Sequence, residues 1–272
     1  MSEKKSPEHK SGDEMRDEGS ALLAADSVAL SFGGFRALDG ASLSFPLGQI
    51  TGIVGPNGAG KSSLLNVLAG TLAADTGEVL YDGQRINSWA MHRRAQHGLI
   101  RTFQLARELS SLTVLENLLL AVPDQKGESI FGALFSRACV RRTEAESIRQ
   151  ASELLRRVGL ESLADAPADA LSGGQKKLLE LCRVLMLRPR MVLLDEPAAG
   201  VNPVRVAEIS NFILQLKAEG VSFVIVEHNM EMIASLCDSV YVMAEGKVLA
   251  HGSYHAVSTD PRVVEAYLGS EA

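Results

Sequence analysis

Two clusters of residues in this chain have types and spacings suited to phosphate chemistry. Gly55-Pro56-Asn57-Gly58-Ala59-Gly60-Lys61-Ser62 matches the pattern G-x-x-x-x-G-K-S/T. Gly55, Gly58 and Gly60 allow a tight turn whose backbone N–H groups, with the start of a following helix, face an anion unobstructed by side chains. Lys61 is then placed to neutralise the β- and γ-phosphates of a nucleotide, and the Ser62 hydroxyl to ligate Mg2+. The apolar run Met191 to Leu194 ends in Asp195-Glu196, a strand that delivers two carboxylates at its C-terminal tip, where open α/β sheets bind ligands. Asp195 suits the metal, directly or through water, and Glu196 suits the orientation or deprotonation of an attacking water. His228 follows the apolar run Val221 to Val226 and Glu227, which puts an imidazole at another strand tip.

Alone, most of these pieces have plain readings. A carboxylate pair ending a strand is more often a helix cap or a solvated turn, and a lone His is usually a surface or core residue. Gln104, after Arg101-Thr102-Phe103, is unremarkable by itself, and Leu171-Ser172-Gly173-Gly174-Gln175 reads equally as a helix start with Ser172 capping and the glycines in a turn. The phosphate loop changes the weights, because it follows the apolar run Ile50 to Val54 and precedes Leu64, Leu65, Val67 and Leu68 at helical spacing.

The elements that must position these groups are legible around them. Ala24 to Ser31, Ala41 to Phe45 and Gly77 to Tyr81 read as strands, with turns at Pro46-Leu47-Gly48 and Asp82-Gly83, giving a partly antiparallel β-layer in front of the loop. From about Leu105 to Ala170 the pattern turns helical, with Ile148, Ala151, Leu154, Leu155 and Val158 on one face and Gly159 as a stop. The runs Met191 to Leu194 and Val221 to Val226 read as strands of a parallel sheet covered on both faces. Ser239 to Met243 and Lys247 to Ala250 read as a hairpin turning on Glu245-Gly246.

With 272 residues and 46% hydrophobic content, the chain is long enough for one large α/β domain or two small ones. Residues 1–20 are nearly devoid of apolar side chains and read as a solvated tail. A formal net charge of −6 argues against a nucleic-acid partner. Cys139, Cys182 and Cys237 are odd in number and lack metal spacing, as expected in a reducing cytosol. No window reaches the ~18–20 apolar residues that span a bilayer, so any action at a membrane would run through a partner.

The order of these motifs over residues 24–268 resembles the ATP-binding subunits of ABC transporters. In that family's terms, Gly55 to Ser62 is the Walker A motif, Gln104 the Q-loop glutamine, Leu171 to Gln175 the signature, Asp195-Glu196 the end of Walker B, and His228 the switch histidine. The resemblance implies a RecA-like P-loop NTPase core with an antiparallel β-layer and a helical subdomain of about residues 105–175, all within a domain of 21–272. It implies ATP and Mg2+ as cofactors. Pro56, Asn57, Ala59 and Ser63 would join the loop glycines, Lys61 and Ser62 around the nucleotide, Phe32 would stack on adenine with Phe35 as the rival, and Gln104 would join Ser62 and Asp195 at the metal. Glu196, His228, Lys61 and Gln104 would be the catalytic residues. Ser172, Gly173, Gly174 and Gln175 would meet the ATP of a second ABC ATPase subunit, in a homo- or heterodimer that sandwiches two ATPs head to tail.

Asp195-Glu-Pro-Ala-Ala-Gly-Val-Asn202-Pro203 departs from the commonest pattern, in which Asp stands where this chain has Asn202. Together with Arg101-Thr-Phe-Gln104, Thr113-Val-Leu-Glu-Asn117 and Glu265-Ala-Tyr-Leu-Gly269, it resembles the ATPases of importers for branched-chain amino acids and their urea and amide relatives. Permease subunits and a substrate-binding protein are the implied partners, and the cytoplasmic face of the cell membrane is the implied location. The rivals are a lipopolysaccharide exporter ATPase, a soluble ABC ATPase acting on DNA or ribosomes, and a nucleotide-binding scaffold without turnover.

Overall fold

The computed structural model describes residues 21–102, 111–122 and 137–268. In chain order its first half comprises β1 (Ala21–Phe32), β2 (Phe35–Pro46), β3 (Ile50–Val54), α1 (Lys61–Ala69), β4 (Thr76–Tyr81), β5 (Gln84–Arg85), α2 (Met91–Gln96), β6 (Leu99–Arg101) and α3 (Val114–Leu119). The second half runs α4 (Arg137–Arg157), α5 (Gly173–Met186), β7 (Met191–Asp195), α6 (Pro203–Ala218), β8 (Ser222–Val226), α7 (Met230–Leu236), β9 (Ser239–Ala244), β10 (Lys247–Gly252), α8 (Tyr254–Ser258) and α9 (Pro261–Leu268).

The main sheet has the order β10-β9-β3-β8-β7-β6, parallel except for the β9–β10 hairpin. Its central strands are apolar on both faces because both faces are covered. Val192, Leu194, Phe223 and Ile225 face a core shared with α4 to α7. Met191, Leu193, Val224 and Val226 face a second core shared with α1 and the antiparallel sheet β2-β1-β4-β5. The strand pattern expected from sequence holds, with β1 and β2 longer than read because their hairpin continues to a Gly33-Gly34 turn. The three-residue β6 is too short to carry a period of its own, and α3 starts at a capping box formed by Thr113 and Glu116.

Turn chemistry behaves as the glycine and acidic pairs predict. Asp82 and Gly83 have φ of 50 and 74°, and Glu245 and Gly246 have φ of 49 and 77°, the double left-handed geometry of a tight hairpin. Gly159 ends α4 at φ 68°. Arg157, at the C-terminal end of α4, ties that helix to α6 through Glu219 at 2.6 Å and lies over the Phe212 ring at 5.3 Å. Among the described residues no helix is long and apolar enough to cross a membrane.

Candidate nucleotide site

The phosphate loop leaves β3 at Val54 and enters α1 at Lys61, with Gly60 as an N-cap that offers no side-chain hydrogen bond. The first-turn N–H groups of α1 are therefore available to an anion. The loop is wedged in place by the β9–β10 turn, where Gly246 N–H donates to the Ala59 carbonyl at 3.1 Å and the Gly246 carbonyl accepts from Asp39 N–H at 2.9 Å. A Cβ on Gly55 would lie 2.1 Å from the Met243 carbonyl oxygen, and one on Gly60 would lie 2.5 Å from the Ala37 carbonyl oxygen, so these two positions require glycine.

Lys61 is only 6% exposed, and its Nζ donates to the carbonyls of Gly55 at 2.7 Å and Pro56 at 2.9 Å. Burial lowers its pKa, and the nearby Glu196 and Asp195 carboxylates pull it back up, so the loop cation and both strand-tip carboxylates share one field. Asp195 accepts from Arg101 Nη2 at 2.8 Å, and Arg101 Nη1 donates to Asn66 Oδ1 at 2.6 Å, which ties β6 and β7 to α1. In the sequence Arg101 stands out only as part of Arg101-Thr-Phe-Gln104. Its pairing depends on the neighbouring register of β6 and β7, in which Arg101 lies opposite Leu193, two residues before Asp195.

Glu196 has φ 48°, a left-handed conformation that costs a residue with a Cβ about 1 kcal/mol or more. It is held there by its own N–H donating to Val226 O at 2.9 Å and its carbonyl accepting from Ala199 N–H at 3.1 Å. His228 Nε2 lies 3.3 Å from Glu196 Oε1, so the two strand tips bring together the residues expected to act on the attacking water. Ser62 and Asp195 carry hard oxygen donors of the kind that suit Mg2+, so these side chains fit that ion. Among the described residues no three His, Cys, Asp or Glu side chains form a metal site of their own.

Leu171 to Gln175 opens α5. Ser172 Oγ accepts from Gln175 N–H at 3.4 Å while Gln175 Oε1 accepts from Ser172 N–H at 2.9 Å, a capping box that engages the glutamine side chain locally. Gly173 and Gly174 lie in the first helical turn rather than in a separate turn. Ser172 and Gly173 are exposed, whereas a Cβ on Gly174 would lie 2.8 Å from Arg205 Cβ. Asn202 caps α6 by accepting from Arg205 N–H at 3.0 Å, with Pro203 at the first helical position, as its sequence predicts. Phe32 and Phe35 pair at the exposed end of the β1–β2 hairpin, and Gly60 approaches Ala37 and Leu38 of the same β2 strand. Gln104 lies outside the described residues, as do the N-terminal tail 1–20 and Gly269.

A family model described as ABC transporter matches residues 38–199, and one described as branched-chain amino acid ATP-binding cassette transporter matches residues 247–272. The chain belongs to the ABC transporter family. This ABC ATPase is 40% identical over 91% of its length to 97% of a Methanocaldococcus jannaschii protein named "Probable branched-chain amino acid transport ATP-binding protein LivG". It is 35% identical to the high-affinity branched-chain amino acid transport ATP-binding protein BraF of Pseudomonas aeruginosa, over 91% of this chain and 98% of the relative. It resembles the crystal structure of a nucleotide-free ATP-binding cassette from an ABC transporter, with a TM-score of 0.80 and 40% identity over 91% of this chain and 99% of that one. An ADP-bound cassette of an ABC transporter matches equally well, with a TM-score of 0.80 and 39% identity over 92% and 99%.

Proposed function

We propose that this ABC ATPase powers import of branched-chain amino acids or related polar solutes, as a peripheral subunit on the cytoplasmic face of the cell membrane. It would work with permease subunits, a second ATP-binding subunit and, through the complex, a substrate-binding protein. Residues 21–272 act as one nucleotide-binding domain whose helical subdomain spans about 105–175. The names of the relatives support the solute class, and the match at residues 247–272 favours this reading over a lipopolysaccharide exporter.

The observation that carries the reading is the gathering of Lys61, Asp195, Glu196 and His228 around one phosphate loop, while Ser172 and Gly173 are exposed at a different helix start. The loop N–H groups and Lys61 bind and neutralise the phosphates, with Ser63 beside them and Phe32 against the adenine. Glu196 orients or deprotonates the attacking water, and His228 supports it at the γ-phosphate together with Gln104. Ser62, Asp195 and Gln104 would hold Mg2+, which would supply charge neutralisation at the phosphates. Ser172, Gly173, Gly174 and Gln175 present a helix N-terminus to the ATP of the second subunit, so ATP joins the two and hydrolysis releases them.

Magnesium-dependent ATP hydrolysis should be abolished by Lys61→Ala, and Glu196→Gln should accumulate an ATP-bound dimer visible by light scattering. Turnover at the wild-type level in both variants would refute the assignment. For the solute, mass spectrometry of the purified native complex should recover leucine, isoleucine, valine or a related polar solute. Recovery of a lipid would contradict the importer.

A further inference from the structure

Glu227 is a buried carboxylate with no part in the roles above. It follows the last residue of β8, is 3% exposed, and has no cationic partner among the described residues. Three backbone N–H groups surround it instead: Oε1 accepts from Ala198 at 2.6 Å, and Oε2 accepts from His228 at 2.8 Å and Asn229 at 3.0 Å. A buried acidic group is costly unless such bonds satisfy both oxygens. The two ends of this contact set belong to different loops. Ala198 lies in the turn two residues after Glu196, and His228 and Asn229 lead into α7.

We propose that Glu227 is a positioning residue whose carboxylate pins the turn after Glu196 to the loop bearing His228, and so fixes the spacing of those two side chains. The inference rests on the reading of Glu196 and His228 as the groups that act on the attacking water. Its geometry is continuous with the sheet. Asp195 lies opposite Val226 in the β7–β8 register, Glu196 N–H donates to the Val226 carbonyl, and just past the end of β8 Glu227 reaches back to Ala198. The post-strand turn is thus held to the β8 end at two points. The 3.3 Å separation of His228 Nε2 from Glu196 Oε1 is measured across that double attachment. Hydrolysis depends on positioning more than on covalent chemistry, so a link that sets this separation belongs to the reaction even though both Glu227 carboxylate oxygens are taken up by backbone N–H groups.

Two variants separate the cross-loop link from general packing. Glu227→Asp keeps an acceptor within reach of the N–H groups one and two residues on, as short acidic side chains do in turns, but is a methylene too short to retain Ala198 as well. Glu227→Gln is isosteric with a single acceptor oxygen, so it satisfies one loop and presents an N–H2 donor to the other. With the full chain and MgATP, both should lower kcat by about 10- to 100-fold. KM and the affinity for MgADP should stay within about twofold of wild type.

Wild-type turnover in Glu227→Asp would overturn the proposal, because the link to Ala198 would then be dispensable. Nucleotide affinity falling in step with kcat would also overturn it, because that pattern marks a merely structural role. Glu196→Gln is the control for the reading beneath: if it alone turned over normally, the assignment of the base would fall, whereas its loss of turnover alongside an active Glu227→Asp would sink only the link.

Discussion

In the phosphate loop a methyl group at Gly55 or Gly60 would run into backbone carbonyls at 2.1 and 2.5 Å, whereas in the signature the nearest neighbour of a methyl at Gly173 is the Gly200 oxygen at 3.7 Å. Gly55 and Gly60 are therefore glycine because their own chain leaves no room, as is Gly174 beside Arg205, whereas Gly173 is not crowded by its own chain. The loop is enclosed by β2 and the β9–β10 turn and keeps Lys61 buried, so its shape is set entirely within the chain. The signature turn has its internal hydrogen bonds closed by the Ser172–Gln175 capping box, yet Ser172 and Gly173 face outward. Gly173 has room for a methyl group on its own chain, so packing within the chain does not require glycine there. The proposal that the signature meets the ATP of a second subunit accounts for that contrast.

Substitutions at these glycines should break or sharpen the contrast. Gly55→Ala should have the largest effect, because relieving the overlap with Met243 costs about 2–3 kcal/mol, equivalent to roughly a hundredfold weaker ATP binding by the isolated chain in a fluorescent-nucleotide titration. Gly173→Ala should leave thermal stability and ATP binding of the isolated chain nearly unchanged, yet lower turnover of the assembled enzyme by about tenfold or more, as loss of an oxyanion-type donor contact does. Equal damage to binding and turnover would mean that the signature serves its own chain.

Gly174→Ala should behave in the opposite sense to its neighbour. Its methyl meets Arg205 Cβ at 2.8 Å, so it should destabilise the fold by about 1–2 kcal/mol in a denaturant titration. Asn202→Ala should give the smallest effect, a loss of about 1 kcal/mol of stability from the α6 cap with little change in turnover. A large turnover defect there would give Asn202 an intersubunit role beyond the cap.

Most of the nucleotide loop was legible in the sequence because its chemistry is local. Glycine spacing, Lys61 and Ser62 act within eight consecutive residues, and the strand and helix on either side carry clear apolar patterns. The β7 and β8 tips were legible for the same reason, since each is a short apolar run ending in a polar residue. The contacts that are not legible depend on which strands lie side by side. Arg101 reaches Asp195 across β6 and β7, and Glu227 reaches Ala198 between two loops, contacts of long sequence separation that no periodicity encodes. The Ser172–Gln175 capping box is readable as S-x-x-Q, while the family resemblance points the same Gln175 at the nucleotide. Asn202 shows the reverse case: a local cap that Asn-Pro alone is enough to specify, although it departs from the family's usual aspartate.

The central claim is that each catalytic site combines the phosphate loop of one chain with the signature of another. It is tested most directly by mixing Lys61→Ala chains with Ser172→Arg chains, each inactive alone, and measuring magnesium-dependent ATP hydrolysis. The account predicts that the mixture regains turnover, because a mixed pair contains one site built from an intact loop and an intact signature. A mixture that stays as inactive as its components would contradict it.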